Sequence, residues 1–405
     1  MEPETQQPIS FDSLKTAAES ILAQYHESSV GIENPALLTD PRRRNRIWRC
    51  NLRSSAPSVP ETAIIKQVNP DGYDPANPES NATWRLFNDW AGAQFLSQVA
   101  SKDPHAPAFY GGNLEQGFVI LEDLGEHSSL VEQLLGTDAD SATEALIALA
   151  SRLGRMHAST MGKKEEFFHI KRRISPAWAD QDTKSSDNTD LSIAKQIAQF
   201  AEACERLTVK PSDAAIEEFG GALHILAEPG PFEAYVHCDP CPDNTFYHPP
   251  NLRLIDFEFS CFGHALTDGL YGRLAFPTCW CANSVPNEIV HQMEDTYRRE
   301  LSVACPEVMD NARFERGAAA VTANWAFTST RWGVEDLMER DEEWGIASIR
   351  ARIIKRVEVF LDTAGRAKHI PALSDTFTRI LGELKNRWPE SEALPFYPAF
   401  RDPTE

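Results

Sequence analysis

The chain has 405 residues, with 60 acidic against 39 basic side chains and a formal net charge of -21. It is long enough to build two lobes, each around a core of its own. The acidic balance argues against a nucleic-acid partner, whose phosphates call for Lys and Arg clusters, and is compatible with a cationic substrate. The opening MEPETQQPIS lacks the features of a signal peptide. No apolar run approaches the roughly 20 residues of a membrane span, so a soluble, cytoplasmic protein with no membrane partner is expected.

In chain order, Ile9, Phe11, Leu14, Ala18, Ile21, Leu22 and Tyr25 recur at helical spacing and predict a leading amphipathic helix. A basic turn, Asp40 to Arg46, leads into a strand on which Trp48, Cys50 and Leu52 alternate. After a linker over 54–60, Thr62 to Val68 reads as a buried strand presenting one cation, Lys66. A loop over 69–80 precedes a helix with the stripe Trp84, Phe87, Ala91, Phe95 and Val99, and Asp89 on its flank. Another loop, 105–112, is followed by the apolar run Phe118 to Leu121, which ends in Glu122, Asp123, Leu124 and Gly125.

Beyond Gly125 the pattern is mainly helical. Ser141-x-x-Glu144 is a capping-box signature opening a helix with Leu146, Leu149, Ala150, Leu153 and Met156 on one face. His157 on that helix is expected to be packed rather than catalytic. Residues 175–192 read as a polar surface loop, and helices are expected near 194–207, 314–330, 345–363 and 374–388. The acidic segment 335–344 is expected to be a solvated face; its functional alternative is attraction of an amine-bearing substrate.

The densest chemistry lies in Val236 to Glu258, VHCDPCPDNTFYHPPNLRLIDFE. His237, Asp239 and Asn244 form H-x-D-x-x-x-x-N, and an apolar run ends in Asp256 within D-F-E. Two short strands around Pro249, Pro250 and Asn251 make a hairpin, with Asn244 and Asp256 at its open end. Two carboxylates and a carboxamide are hard oxygen ligands suited to Mg²⁺. Cys238 and Cys241, with Cys279 and Cys281, admit a rival four-thiolate zinc site.

HCDPCPDN followed by IDFE resembles the catalytic and metal-binding segments of kinase-fold phosphotransferases, in particular the aminoglycoside phosphotransferase and choline kinase branch. Glu258 stands where protein kinases have the glycine of D-F-G. The resemblance implies an α+β, two-lobed protein-kinase-like fold: a small N-lobe with an antiparallel sheet (1–125) and a larger, mainly helical C-lobe (126–405). It also implies ATP and Mg²⁺, and transfer of the γ-phosphoryl group to a hydroxyl of a small molecule. On that pattern Asp239 orients the acceptor hydroxyl and Asn244 and Asp256 hold the metal. Lys66 contacts the nucleotide phosphates and Asp89 pairs with Lys66. Glu122 and Leu124 offer backbone contacts to adenine, and Asn45 belongs to the phosphate-covering hairpin, here without glycine. His237 and Asp268 brace the catalytic loop. A nucleotide-binding pseudokinase is the alternative. The acceptor and the oligomeric state are not legible.

Overall fold

The computed structural model describes residues 11–40, 42–70, 72–77, 79–126, 128–179, 189–333 and 339–401. The chain divides into two compact units: Met1–His127 with Glu165–Asp182 and Ile255–Phe259, and Ser128–Lys164 with Thr183–Leu254 and Ser260–Glu405. The fold is α+β, and no helix among the described residues is long and apolar enough to cross a membrane.

The first unit is built on a five-stranded antiparallel sheet in the order β1-β2-β3-β5-β4. Its strands are β1 (Gly31–Leu37), β2 (Asn45–Arg53), β3 (Thr62–Val68), β4 (Phe109–Asn113) and β5 (Phe118–Glu122). Alternation sets its faces: Trp48 and Cys50 of β2 and Ala63 and Ile65 of β3 pack with Phe118 and Ile120 of β5. Onto that face α1 (Asp12–Tyr25) lays Leu14, Ala18 and Leu22. The predicted helix is present from Asp12; Ile9 lies outside the described residues. On β3, Lys66 is opposite Ile47 and Val119. The long helix α2 (Asn81–Val99) buries Phe87, Ala91 and Phe95, as its stripe requires, together with Asn88 and Asp89.

In the second unit α3 (Leu130–Leu135) and α4 (Ala139–Thr160) lead into a helical body. The cap of α4 departs from the expectation. Asp138, not Ser141, is the N-cap, accepting from the backbone N–H groups of Asp140 and Ser141. Asp138 lies three residues upstream and competes for the same orphan N–H groups, so Ser141 falls inside the first turn. The reciprocal capping box occurs one helix earlier, at Ser129 and Glu132.

Further on come α5 (Thr189–Arg206) and α6 (Asp213–Ala227), β6 (Glu233–Val236), the hairpin β7 (Thr245–His248) and β8 (Asn251–Leu254), and β9 (Cys261–His264). The hairpin has Thr245 opposite Leu254, and β6 pairs antiparallel with β9. The long helices that follow are α7 (Asn287–Leu301), α8 (Asn311–Gly333), α9 (Ile349–Ala367) and α10 (Pro371–Arg387). Phe200, Phe219, Phe327, Phe360 and Phe377 share one core among α5, α6, α8, α9 and α10. Gly154 lets α4 approach α7 closely: a Cβ there would stand 2.8 Å from the Tyr297 carbonyl oxygen.

Two other expectations are corrected. Residues 176–179 are helical rather than loop, with Trp178 fully buried; 180–188 lie outside the described residues. The helix expected from Gly345 begins at Ile349, after a short hairpin (Glu343–Trp344 with Ala347–Ser348). Of the acidic segment, 335–338 lie outside the described residues. Asp341 is committed to the start of α9, where it accepts from the Ser348 hydroxyl and, at 3.2 Å, from the Arg350 N–H.

Candidate active site

In the first unit, β3 points Lys66 at two carboxylates. Its Nζ lies 2.7 Å from Asp89 Oδ2 on α2 and 2.6 Å from Asp256 Oδ1. Burial alone would lower the ammonium's pKa, but Asp256 and Asp89 outweigh it and hold it above its ordinary value. Asp89 also accepts from the Phe257 N–H at 2.8 Å, which fixes the D-F-E segment on α2. Asp256 sits at φ 68°, a left-handed conformation that is strained for a residue with a Cβ and tolerated best by Asn and Asp.

Glu258, in the place of a glycine, gathers two arginines: Arg44 at 2.7 Å and Arg85 at 2.6 Å. Its carboxyl is pushed up by burial and by Asp256, against the pull of Lys66, Arg44 and Arg85. Asn88 adds a hydrogen bond to its carbonyl at 3.1 Å. Within the basic turn, Arg42 is paired with Asp40 at 2.7 Å. Two of the three consecutive arginines therefore already hold protein carboxylates. Asn45 opens β2 opposite Val68, and its carbonyl accepts from the Thr39 hydroxyl at 3.2 Å. Glu122 closes β5 opposite Ala63 and exchanges bonds with Ala108, its N–H to the Ala108 carbonyl at 2.8 Å and its Oε2 from the Ala108 N–H at 3.0 Å. Leu124 follows, half-buried.

In the second unit the loop after β6 carries Asp239. Asp268 lies beneath it: its carboxylate accepts the N–H groups of His237 at 2.6 Å and Cys238 at 2.9 Å. Fully buried His157 reaches Asp268 through Nε2 at 3.1 Å and the Tyr297 hydroxyl through Nδ1 at 2.8 Å. His237, also fully buried, has its Nδ1 3.3 Å from the Asp239 N–H. Cys238 has φ 64°, so the residue before Asp239 is strained as Asp256 is. Asn244 turns its Nδ2 to the carbonyl oxygen of Asp239 at 2.9 Å and to Oδ2 at 3.2 Å. The Thr278 hydroxyl donates to Asp239 Oδ1 and is bonded in turn by the Tyr271 hydroxyl at 2.6 Å.

The cysteines around this loop do not form a four-thiolate cluster. Cys241 and Cys279 are joined in a disulfide with their Cα atoms 5.6 Å apart. Cys238 faces Cys261 at 3.7 Å, and Cys281 is a buried free thiol. Asp243 lies close to the bonded pair, but sulfurs in a disulfide are not thiolates, so the zinc reading is set aside.

The family model described as the phosphotransferase enzyme family matches residues 91–310, more than half of the chain. The chain belongs to this phosphotransferase family. Its fold is accordingly the protein-kinase-like one, the sheet unit and the helical unit described above. No curated protein matches the sequence. Among solved structures, the streptomycin–ATP–APH(2″)-IIa ternary complex is similar at 14% identity and TM-score 0.47, with 82% of this chain and 97% of that one covered. The choline kinase LicA from Streptococcus pneumoniae is similar at 13% identity and TM-score 0.41, covering 86% and 99%. A Plasmodium vivax ethanolamine kinase is similar at 12% identity and TM-score 0.44, covering 89% and 90%.

For this phosphotransferase, sequence reasoning missed Arg44 and Arg85 on Glu258, and Thr278 and Tyr271 beside Asp239. A carboxylate in the place of a glycine, in a chain that also has an arginine-rich turn, was a readable signal for Arg44. Nothing local in Pro277-Thr278-Cys279 marked the second pair.

Proposed function

We propose that the chain transfers the γ-phosphoryl group of ATP to a hydroxyl of a small molecule, with a lobe boundary near Gly125 between a nucleotide-binding N-lobe (1–125) and a C-lobe (126–405) that carries the catalytic loop and the substrate-binding helices. The observation that carries this reading is the double grip of Asp89 and Asp256 on the Lys66 ammonium. It keeps a cation charged and aimed from the sheet, as the nucleotide phosphates require.

Asp239 orients the acceptor hydroxyl and takes its proton; its two oxygens are already aligned by Thr278 and Asn244. Lys66 meets the α and β phosphates, Asn45 belongs to the turn that covers them, and Glu122 and Leu124 present backbone to adenine. We assign Asn244 and Asp256 to Mg²⁺ on the family pattern, each as an oxygen donor. With Nδ2 of Asn244 engaged by Asp239, the carboxamide oxygen remains for a cation, and Asp256 supplies a carboxylate; both are hard donors. Bound Mg²⁺ supplies neutralisation of phosphate charge. The transition state spreads negative charge over phosphoryl oxygens, so the chain's contribution is positioning and electrostatics. His237, Asp268 and His157 keep the loop in place. A pseudokinase has no chemical need for the combination of Lys66, Asp239, Asn244 and Asp256. We read the protein as soluble and cytoplasmic.

The test is calorimetric titration of ATP with and without Mg²⁺ on wild type and Asp256→Ala, followed by ADP release across a panel of hydroxyl compounds. Mg²⁺-dependent binding lost in Asp256→Ala supports the assignment. Folded wild type that binds no nucleotide overturns it.

A further inference from the structure

Arg352 and Arg356 of the helical unit have no carboxylate partner among the described residues. Arg352 and Arg356 lie one turn apart on α9. Arg352 is 2% exposed and donates to three carbonyls, those of Cys279, Trp280 and Trp344, at 2.5, 2.9 and 2.6 Å. Arg356 is half-buried and donates to the Ser329 hydroxyl at 2.9 Å and to the Pro277 carbonyl. Among the described residues neither guanidinium forms an ion pair. Buried Arg273 and Arg350 of the same unit do, with Glu294 at 2.5 Å and Glu390 at 2.5 Å.

A buried guanidinium without an anion is costly, and dipoles of carbonyls only partly offset it. Burial, and then repulsion from Arg352, bring Arg356 down to about 10. A guanidinium has five N–H donors, and Arg356 uses one towards each of its two partners, so donors remain. Its position is equally telling. Pro277 precedes Thr278, whose hydroxyl donates to Asp239. Trp325 lies 5.9 Å from the Arg356 guanidinium, and its ring is 6.3 Å from that of Tyr271, which bonds Thr278. An arginine with spare donors, one residue removed from a partner of the proposed base, is placed to hold an acceptor.

We infer that the acceptor carries an anionic group, a carboxylate or a phosphate, and that Arg356, with Arg352 reinforcing its field, is the specificity-determining residue that binds it. This rests on the phosphotransferase reading above, and gives that reaction a substrate class opposite in charge to the amine that the acidic composition suggests. Net charge acts at long range and is screened by salt. Two local guanidiniums that form no ion pair among the described residues govern the immediate contact.

The experiment follows tryptophan fluorescence of the full chain, with Mg²⁺ and saturating ADP, during titration with glycerate, glycerol 3-phosphate or choline. Trp325 lies beside Arg356 and Trp344 beside Arg352, so an anion seated there alters emission. Saturable change with glycerate identifies a carboxylate acceptor, and with glycerol 3-phosphate a phosphate one. Arg356→Gln is expected to weaken either response about tenfold or more. Ser329→Asp keeps the arginine, places a carboxylate at its Nη1, and is expected to abolish the response while raising Tm. No saturable change with either anion, a response to choline alone, or an anion response unaltered in folded Arg356→Gln and Ser329→Asp overturns the inference. A separate calorimetric titration reports ADP binding. Loss of that binding with an intact anion response counts against the phosphotransferase reading and leaves the anion site standing.

Discussion

Lys66 and Asp256, 190 positions apart in sequence, are joined by a 2.6 Å ion pair inside the sheet unit. Strand β3 supplies the cation, and the D-F-E segment returns late in the chain to supply the carboxylate. Asp89 closes the triad and simultaneously accepts the N–H of the residue after Asp256. One carboxylate on α2 thus positions both the cation and the segment bearing the second carboxylate.

Replacing Lys66 by Met is expected to destabilise the protein by about 3–5 kcal/mol, because two largely buried carboxylates lose their common partner. Chemical denaturation of wild type and Lys66→Met measures this. Adding Asp89→Asn is expected to recover part of the loss, since it removes one of the stranded charges. A double variant as unstable as the sum of its parts speaks against the coupling.

Much of this is legible in the sequence. The period of 2 in Trp48, Cys50 and Leu52 and the apolar run around Lys66 gave strands in the right places, and the stripe of α2 put Asp89 within reach of Lys66. The family pattern led to Asp268, which the structure places under the backbone of His237 and Cys238. Boundaries were less legible. Asp138 out-competes Ser141 as a cap because both seek the same N–H groups, and sequence spacing does not rank two such neighbours. The Cys241–Cys279 disulfide was hidden for another reason: spacing grouped these residues with Cys238 and Cys281 as ligands of a thiolate zinc site, whereas the fold joins two residues 38 apart in a disulfide. Thr278 came to light only because folding returns it to Asp239.

Asp239→Asn is expected to lower the rate of phosphoryl transfer by about 10²–10⁴, the range for loss of a positioned general base. Its amide can still accept from Thr278, so the loop should remain in place. Steady-state kinetics with an identified acceptor, beside a thermal melt, separates the two effects. A variant with full activity removes Asp239 from the reaction.

Reducing the Cys241–Cys279 disulfide opens a loop spanning a 38-residue separation, worth up to about 4 kcal/mol on loop-closure entropy. Dithiothreitol is expected to lower the Tm of wild type and leave Cys279→Ser unchanged at an already lower Tm. Cys281→Ser, which alters a free thiol two residues away, should keep the sensitivity to reductant. If wild type and Cys279→Ser melt alike under oxidising conditions, the bond does not contribute to stability in solution.

His264 gives the helical unit a pH dependence of definite sign. It ends β9, 3% exposed, stacked on Phe232 with ring centroids 5.1 Å apart, and its Nδ1 accepts from the Leu266 N–H at 3.3 Å. Burial lowers its pKa from 6.5 to about 4. Between those values the unfolded chain binds a proton that the folded chain does not, so stability falls as pH falls through that window. The contribution is complete above pH 6.5, and about 3 kcal/mol of it is lost on reaching pH 4. Urea denaturation at pH 7, 5.5 and 4.5 on wild type and His264→Gln measures it. The variant, whose side-chain oxygen can still accept the Leu266 N–H, should be less stable than wild type at pH 7 but lose less on acidification. Equal slopes for the two proteins would assign the acid sensitivity to groups other than His264.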